Sequence, residues 1–221
     1  MKPTAIVTAG PTVEPIDPVR FLSNRSSGRQ GFAIAAALRD HGFDVTLVTG
    51  PVVLEDVAGV TMVRVETALD MLAAVEGALP AHVFVAVAAV ADWRPAEAAP
   101  RKLKGDKAGF TSLALVENPD ILKTVSGFAP PRRPGLVVGF AAETHDVAAL
   151  AREKRRRKGC DWIVANDVSG DVMGGPQNAA LLITGEEDVA LARAAKAEIA
   201  AQLAERIAQA VIGPGGHWPD R

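Results

Sequence analysis

The chain has 221 residues, of which 48% are hydrophobic and 23% are charged. Its 24 basic and 26 acidic residues leave a formal net charge of -2, so the chain lacks the positive field with which nucleic-acid binders hold phosphates. A single cysteine, Cys160, excludes an internal disulfide and a multi-cysteine metal site. No apolar stretch is long enough to span a membrane, and we expect a cytoplasmic protein with neither a nucleic-acid nor a membrane partner.

Short apolar runs along the chain predict the strands of a buried sheet. Each run is apolar at consecutive rather than alternate positions, which is typical of a parallel sheet covered on both faces. The runs are Thr4–Ala9, Asp44–Thr49, 83–88, 136–140 and 162–165. Helical periodicity predicts helices between them, over 31–41, 68–78 and 146–158. This alternation predicts an α/β fold with a Rossmann-like, three-layer parallel sheet.

Two segments interrupt the alternation. Residues 10–27 form a proline-containing connection between the first strand and its helix, and connections of that length are usually functional. Residues 93–117, approximately, also contain prolines and leave the pattern of the sheet. We interpret this second segment as a flap or a dimerisation arm.

The C-terminal part of the chain predicts one more strand and a long helix. The strand is expected over 179–184, and the apolar stripe of the helix runs from Leu191 to Val211. We expect a single domain over residues 1–212 and a flexible tail over 213–221.

The segment that opens the first helix has the features of a phosphate site. Ser27 and Gln30 have the spacing of a capping box, which predicts a helix N-terminus near Gly28. The N–H groups and the positive end of the helix dipole there suit a phosphate, and Ser26 is small enough to allow close approach. The alternative is a capped helix that binds nothing. Neither a GxGxxG nor a GxxxxGK[ST] pattern occurs, which argues against dinucleotide-binding and P-loop proteins.

Two further segments carry groups that suit a nucleotide and a metal ion. Small residues around Ala89, at the end of the third strand, would let a flat ring stack on the backbone, and Asp92 could hold a divalent cation beside phosphates. Alternation along an extended segment puts Lys102 and Lys104 on one side, where they could close over phosphates. The alternatives are a tight packing turn at Ala89 and a solvated charge run at the lysines.

Lys154 and Lys158 share a face of a predicted helix at i, i+4 spacing, where like charges repel unless an anion lies between them. Favourable placement of cations at a helix C-terminus explains part of this basic run without a ligand. The four histidines show no zinc-ligand spacing, and no Ser-His-Asp pattern is present. The residues alone therefore predict a phosphate-rich ligand on a Rossmann-like sheet and favour nucleotidyl or phosphoryl chemistry.

Several longer strings resemble the phosphopantothenoylcysteine synthetase family, the ligase half of the bifunctional coenzyme A biosynthesis protein. The nine-residue string RFLSNRSSG at 20–28 is far more specific than a single glycine motif, and AAVADWRP at 88–95 also matches. They follow one another in the family's order from about residue 4 to 210. The other matching strings are TAGPT at 8–12, EPIDPVRF at 14–21, NPDIL at 118–122, GFAAET at 139–144 and ANDV at 165–168.

The resemblance implies a ligase that joins 4'-phosphopantothenate to L-cysteine. CTP would activate the pantothenate carboxylate as an acyl-cytidylate with release of pyrophosphate, and the cysteine amine would then displace CMP. The resemblance also implies Mg2+ (or Mn2+), a homodimer, and a partnership with the phosphopantothenoylcysteine decarboxylase half, fused or separate. No flavin is expected in this chain. The choice between CTP and ATP stays open, because backbone contacts to the base are not visible in a sequence.

The resemblance also implies roles for individual residues. Asn24 and Arg20 match positions that convert the acyl-cytidylate, and Lys102 matches a catalytic flap lysine that closes over the site from the partner subunit. Asn24, Arg20 and Ala89 are expected to bind the substrate, and Asp92 is expected to bind the metal ion. The expected nucleotide-binding residues are Ser26, Ser27, Gly28, Ala89, Asp92, Lys102, Phe140, Lys154 and Lys158.

Two other classes of function are alternatives to the ligase. An NAD(P)-dependent oxidoreductase would carry GxGxxG after the first strand and an acidic residue at the end of the second, where GPT at 10–12 and TGP at 49–51 stand instead. A non-catalytic nucleotide-binding or assembly protein is disfavoured only by the presence of Asn24 and Lys102. The flap departs from the family pattern at Gly105, where a further lysine is common.

Overall fold

A computed structural model of the chain describes residues 2–104, 112–143, 145–167 and 177–213. None of the helices in these ranges is long and apolar enough to cross a membrane. In chain order the elements are β1 (Thr4–Ala9), β2 (Val13–Pro15), β3 (Phe21–Ser23), α1 (Arg29–Asp40), β4 (Asp44–Thr49), β5 (Thr61–Arg64), α2 (Ala68–Ala78), β6 (Val83–Ala86), β7 (Trp93–Pro95), β8 (Leu115–Glu117), α3 (Ile121–Ser126), β9 (Leu136–Glu143), α4 (Val147–Lys158), β10 (Trp162–Asp167), β11 (Gln177–Ile183), β12 (Asp188–Ala195) and α5 (Lys196–Ile212).

Eight strands form one central sheet in the order β12-β11-β10-β9-β6-β1-β4-β5. The six strands from β10 to β5 are parallel, and β11 and β12 extend the sheet as antiparallel strands. Numbered along the chain, the parallel strands lie in the order 3-2-1-4-5-6 of the Rossmann fold. The strand order reverses beside β1, so the carboxyl ends of β1 and β6 border the crevice where such folds bind ligands.

Helices cover both faces of the sheet. On one face α1 and α5 bury Ile34, Leu38 and Leu203, and on the other α2, α3 and α4 cover Phe84 and Ile163. Successive strand residues point to opposite faces, so a strand buried on both sides has no polar face. The α/β three-layer fold predicted from the apolar runs is confirmed, with two antiparallel strands added at one edge.

The C-terminal helix begins later than its apolar stripe indicated. Leu191 lies in β12, which pairs with β11, and α5 starts at Lys196. Leu191 still packs into the same core as Ile199, because both side chains lie on the same face of the sheet. A spacing of four or eight residues could not separate these two conformations. Residues 214–221 of the expected tail lie outside the described residues.

The two segments that interrupt the alternation each carry a small antiparallel sheet. β2 and β3 form a hairpin inside the 10–27 connection, and β7 and β8 pair at the two ends of the 93–117 arm. The Ala99 N–H donates to the Ile16 carbonyl oxygen at 2.9 Å and joins the arm to the hairpin. Gly105 lies outside the described residues.

Candidate active site

A cleft of about 640 Å³ opens at the carboxyl edge of the sheet. It is lined by the loop that follows β6, by residues 117–122, by the ends of β9 and β10, and by the side of α4. Five of the predicted site residues line it: Ala89, Asp92, Phe140, Lys154 and Lys158. The fold therefore brings together residues from three separate segments of the sequence, at 89–92, 140 and 154–158.

The loop that follows β6 is fixed by two threonine hydroxyl groups. The Thr8 hydroxyl accepts hydrogen bonds from the N–H groups of Val87 and Ala88, each at 3.2 Å. The Thr12 hydroxyl accepts one from the Ala91 N–H at 3.0 Å. Both threonines are buried, so no bulk water would replace a lost hydroxyl as acceptor. The cleft is thus lined by backbone whose conformation is set before any ligand binds.

Asn118 holds the same loop from its other side. Its side-chain amide donates to the Ala91 carbonyl oxygen at 2.9 Å, and its backbone N–H donates to the Asp92 carbonyl oxygen at 2.8 Å. Asp92 is exposed on the cleft surface. Among the described residues no cluster of three potential metal ligands occurs. A metal ion at Asp92 would take its other ligands from phosphates and water, which is how Mg2+ is commonly held.

Two lysines of α4, Lys154 and Lys158, line one end of the cleft. Lys158 pairs with the Asp120 carboxylate, whose other oxygen accepts the Lys123 N–H at 3.1 Å and caps α3. Burial lowers the pKa of Lys154 below that of an ordinary lysine, and the Lys158 charge lowers it further, while Glu143 opposes both. A buried ammonium group whose charge is disfavoured is stabilised by an anion that binds beside it. Lys154 therefore makes this end of the cleft suited to a phosphate group.

Two amide side chains that were not predicted as site residues also line the cleft. Gln30 lies in the first turn of α1, and Asn166 lies near the end of β10. Gln30 Oε1 and Asn166 Oδ1 are buried without a hydrogen-bond partner within the part of the chain that the structure describes. Because a buried acceptor without a donor is costly, both oxygens suit a ligand N–H or O–H group, or a bound water. The sequence assigns Gln30 to a capping box, and Asn166 lies in the ANDV string at 165–168, but neither pattern indicates a ligand contact.

The first helix begins where the sequence predicted, but without the predicted capping box. Gly28 is the N-cap residue with φ 73°, no side chain caps α1, and the Ser26 hydroxyl accepts the Gly28 N–H at 3.3 Å. The Ser27–Gln30 capping box is therefore wrong, because Gly28 in a left-handed conformation occupies the position that Ser27 would need. Ser26, Ser27 and Gly28 do not themselves line the cleft, although Gln30 in the next turn does.

The residues matched to catalytic positions lie outside the lining of the cleft. Asn24 adjoins it, because its side-chain amide donates to the Ala89 carbonyl oxygen at 3.1 Å. Arg20 Nη2 donates to the Leu103 carbonyl oxygen at 3.0 Å, and the exposed Lys102 is the preceding residue. The structure thus places Asn24 at the cleft loop and brings Arg20 to the base of the flap.

These features define an α/β protein whose cleft, at the carboxyl edge of a Rossmann-like sheet, is suited to a phosphate-bearing ligand. The model of one family, described as the DNA/pantothenate metabolism flavoprotein C-terminal domain, matches residues 2–211. The chain belongs to this family.

Relatives of known name agree with this membership. The chain is 49% identical over 172 residues to the coenzyme A biosynthesis bifunctional protein CoaBC of Escherichia coli K12, a match that covers 76% of this chain and 42% of the relative. It is 44% identical over 205 residues to the protein of the same name from Haemophilus influenzae, which covers 91% of this chain and 50% of the relative. The chain therefore spans about half the length of the curated relatives it matches.

A solved structure shows the same fold. It is the crystal structure of the C-terminal domain of a coenzyme A biosynthesis bifunctional protein CoaBC, with 36% sequence identity and a TM-score of 0.78. The match covers 95% of this chain and 96% of the solved one. The shared fold thus extends over nearly the whole chain.

Proposed function

We propose that this chain is a ligase of coenzyme A biosynthesis that joins 4'-phosphopantothenate to L-cysteine through a CTP-derived acyl-cytidylate. The observation that carries the proposal is that five residues matched to the nucleotide line one cleft. They are Ala89, Asp92, Phe140, Lys154 and Lys158. Family membership and relatives named for coenzyme A biosynthesis support it.

In the first half-reaction the pantothenate carboxylate attacks the α-phosphorus of CTP. A new P–O bond forms, the bond to pyrophosphate breaks, and negative charge moves onto the leaving group. Lys154 and Lys158, which line one end of the cleft, would offset that charge. Asp92 would hold Mg2+ (or Mn2+), which supplies further positive charge at the phosphates when bound. The Phe140 ring would lie against the cytosine.

In the second half-reaction the cysteine amine attacks the acyl carbon. A C–N bond forms, the bond between the acyl carbon and CMP breaks with its electrons leaving on CMP, and the amine loses a proton to water. One N–H of the Asn24 side chain already donates to the Ala89 carbonyl oxygen at 3.1 Å. The second N–H of the same amide would donate to the acyl carbonyl oxygen and stabilise the charge that develops on it.

A homodimer and a cytoplasmic location are part of the proposal. Large apolar side chains are exposed on the two small sheets and beside them, and exposed apolar groups of this kind mark interaction surfaces. These side chains are Val19, Phe21, Trp93, Leu115 and Val116. Lys102 is exposed and does not line the cleft of its own chain, which supports a flap that acts across the dimer. The decarboxylase half, fused or separate, would consume the product.

The test is to incubate the chain with 4'-phosphopantothenate, L-cysteine, Mg2+ and either CTP or ATP. We expect CMP, pyrophosphate and phosphopantothenoylcysteine with CTP, and absence of the cysteine adduct with both nucleotides would contradict the proposal. A non-catalytic nucleotide-binding protein would bind CTP without releasing pyrophosphate, so the same assay distinguishes the two functions.

A further inference from the structure

Asp17 joins two parts of the chain that are distant in sequence. It lies in the loop between β2 and β3 and is only 4% exposed. Its Oδ1 accepts the N–H groups of Val19 and Arg20 at 2.8 and 2.9 Å. Its Oδ2 accepts Arg20 Nε and Nη2 at 3.0 and 2.6 Å, and also the Leu103 N–H at 3.1 Å. One buried carboxylate thus ties the hairpin loop to the base of the flap.

The backbone of Leu103 is held through both its N–H and its carbonyl group. Its N–H donates to Asp17 Oδ2, and its carbonyl oxygen accepts Arg20 Nη2 at 3.0 Å. We call this arrangement the Asp17–Arg20 clamp. Lys102 and Lys104 flank the clamped residue. The Arg20 guanidinium holds the pKa of the Asp17 carboxyl well below its usual range, against the opposing effect of burial, so the clamp stays charged at neutral pH.

We propose that Asp17 is a positioning residue for the ligase reaction. It fixes the backbone of Leu103 and thereby holds Lys102 at a fixed position relative to Arg20. The role of Lys102 rests on the proposed function, whereas the clamp itself rests on the contacts of Asp17. Hydrogen bonds to a carboxylate are shorter and stronger than neutral ones, so the clamp restricts the backbone from which Lys102 projects. A flap cation that binds a phosphate loses less conformational entropy if its backbone is already restricted before the ligand binds.

Hydrogen exchange tests the clamp without any substrate. In Asp17→Asn an amide N–H group replaces one acceptor oxygen, so at least one of the clamped donors loses its partner. We expect the proteolytic fragment that contains Leu103 to exchange its amide hydrogens at least about tenfold faster in Asp17→Asn than in the wild type. Asp56→Asn is the matched control, because Asp56 pairs with Arg64 at an exposed site away from the flap. Unchanged exchange in Asp17→Asn would overturn the clamp.

A double-mutant cycle with Lys102→Gln tests the positioning role. We expect Asp17→Asn to lower kcat/KM for CTP by about tenfold or more in the wild type and by less than about twofold in the Lys102→Gln background, because both changes then remove the same contribution. Equal factors in both backgrounds would overturn the positioning role and leave Asp17 a structural residue. If Asp17→Asn does not fold, Leu103→Pro removes the clamped N–H and enters the same cycle with the same expected result. A wild-type chain without ligase activity would contradict the proposed function, and the exchange result would still decide the clamp.

Discussion

The Asp120 carboxylate binds the Lys158 ammonium group and so links the start of α3 to the end of α4 beside the cleft. Its second oxygen caps α3 through the Lys123 N–H. Burial raises the pKa of the Asp120 carboxyl, but the hydrogen bond from Lys158 and the cap outweigh it, and the net pKa lies below the usual value. Lys158 is therefore held at the cleft by an acidic partner before any phosphate binds.

Replacing Lys158 should weaken nucleotide binding specifically. Lys158→Gln removes a cation at the cleft, and we expect the Kd for CTP to rise about tenfold or more, the size of one lost charge-assisted hydrogen bond. Arg156→Gln is the matched control, because it removes the same charge from an exposed position of the same helix. Titration calorimetry of both variants checks this. Equal losses in both would show that α4 acts only through its overall charge.

Lys154 should give CTP binding a pH dependence in the alkaline range. Burial lowers its pKa, so Lys154 loses its proton at a lower pH than exposed lysines. We expect the affinity for CTP to fall as the pH rises through that lowered pKa. In Lys154→Arg the side chain stays charged, and the affinity for CTP should hold to a higher pH than in the wild type. Superimposable pH profiles for the two proteins would contradict this role.

In the ligand-free protein, Lys154 should make the free energy of unfolding increase with pH, whereas it makes the affinity for CTP decrease. The folded state binds fewer protons at Lys154 than the unfolded state does, because the folded pKa is lowered. Its contribution to the free energy of unfolding therefore increases as the pH rises from the lowered pKa to that of an ordinary lysine. Urea denaturation of the wild type and Lys154→Arg across this range measures the difference. If the free energy of unfolding of the wild type fell relative to that of Lys154→Arg as the pH rises, the prediction would be contradicted.

Gly31 is predicted to be needed for the contact between α1 and β1. A Cβ atom there would lie 2.5 Å from the Ala9 Cβ and 3.0 Å from the Thr8 carbonyl oxygen. Gly31→Ala should therefore lower the free energy of unfolding by about 1–3 kcal/mol, although alanine is the better helix former. Gly77→Ala in α2, where a Cβ meets no atom within 4 Å, should instead raise it by about 0.5–1 kcal/mol.

Chemical denaturation of the two glycine variants separates packing from helix propensity. Both substitutions add one methyl group within a helix, so their opposite signs come from the surroundings alone. Stabilisation of both proteins would show that α1 can move away from β1 without cost.

The interior strands could be predicted from the sequence because burial on both faces leaves a simple pattern. Thr4–Ala9 and Asp44–Thr49 have the predicted bounds in the structure, and so does the helix Ala68–Ala78. The edge strand β5, with exposed residues at both ends, gave no such pattern. The apolar pattern did not distinguish β12 from α5, because both contribute apolar residues to the same core.

The candidate site was predicted where a residue's own chemistry, its place at a strand end or its match to the family pointed to it. Lys154, Lys158 and Asp92 were found because of charge and family resemblance. Thr8 and Asp17 were not, because their roles depend on residues 79 and 86 positions away in the chain. Such contacts exist only once the sheet and the arm have formed, and no local pattern encodes them.

The Thr8 hydroxyl should contribute to both stability and ligand binding. Thr8→Val keeps the shape of the side chain but leaves the Val87 and Ala88 N–H groups without their acceptor. We expect a loss of about 1–3 kcal/mol in the free energy of unfolding together with weaker CTP binding, because the cleft loop loses its anchor. Thr46→Val on β4, outside the cleft, is the matched control. A Thr8→Val protein that binds CTP as tightly as the control would show that the loop does not need this anchor.

The most direct measurement is a crystal structure of the chain with CTP and Mg2+. We expect the triphosphate in the cleft beside Lys154 and Lys158, with the base against Phe140. A second groove lies beyond β4 and β5, where Arg64 and Glu66 line it. A triphosphate bound in that groove, with the cleft empty, would contradict the account.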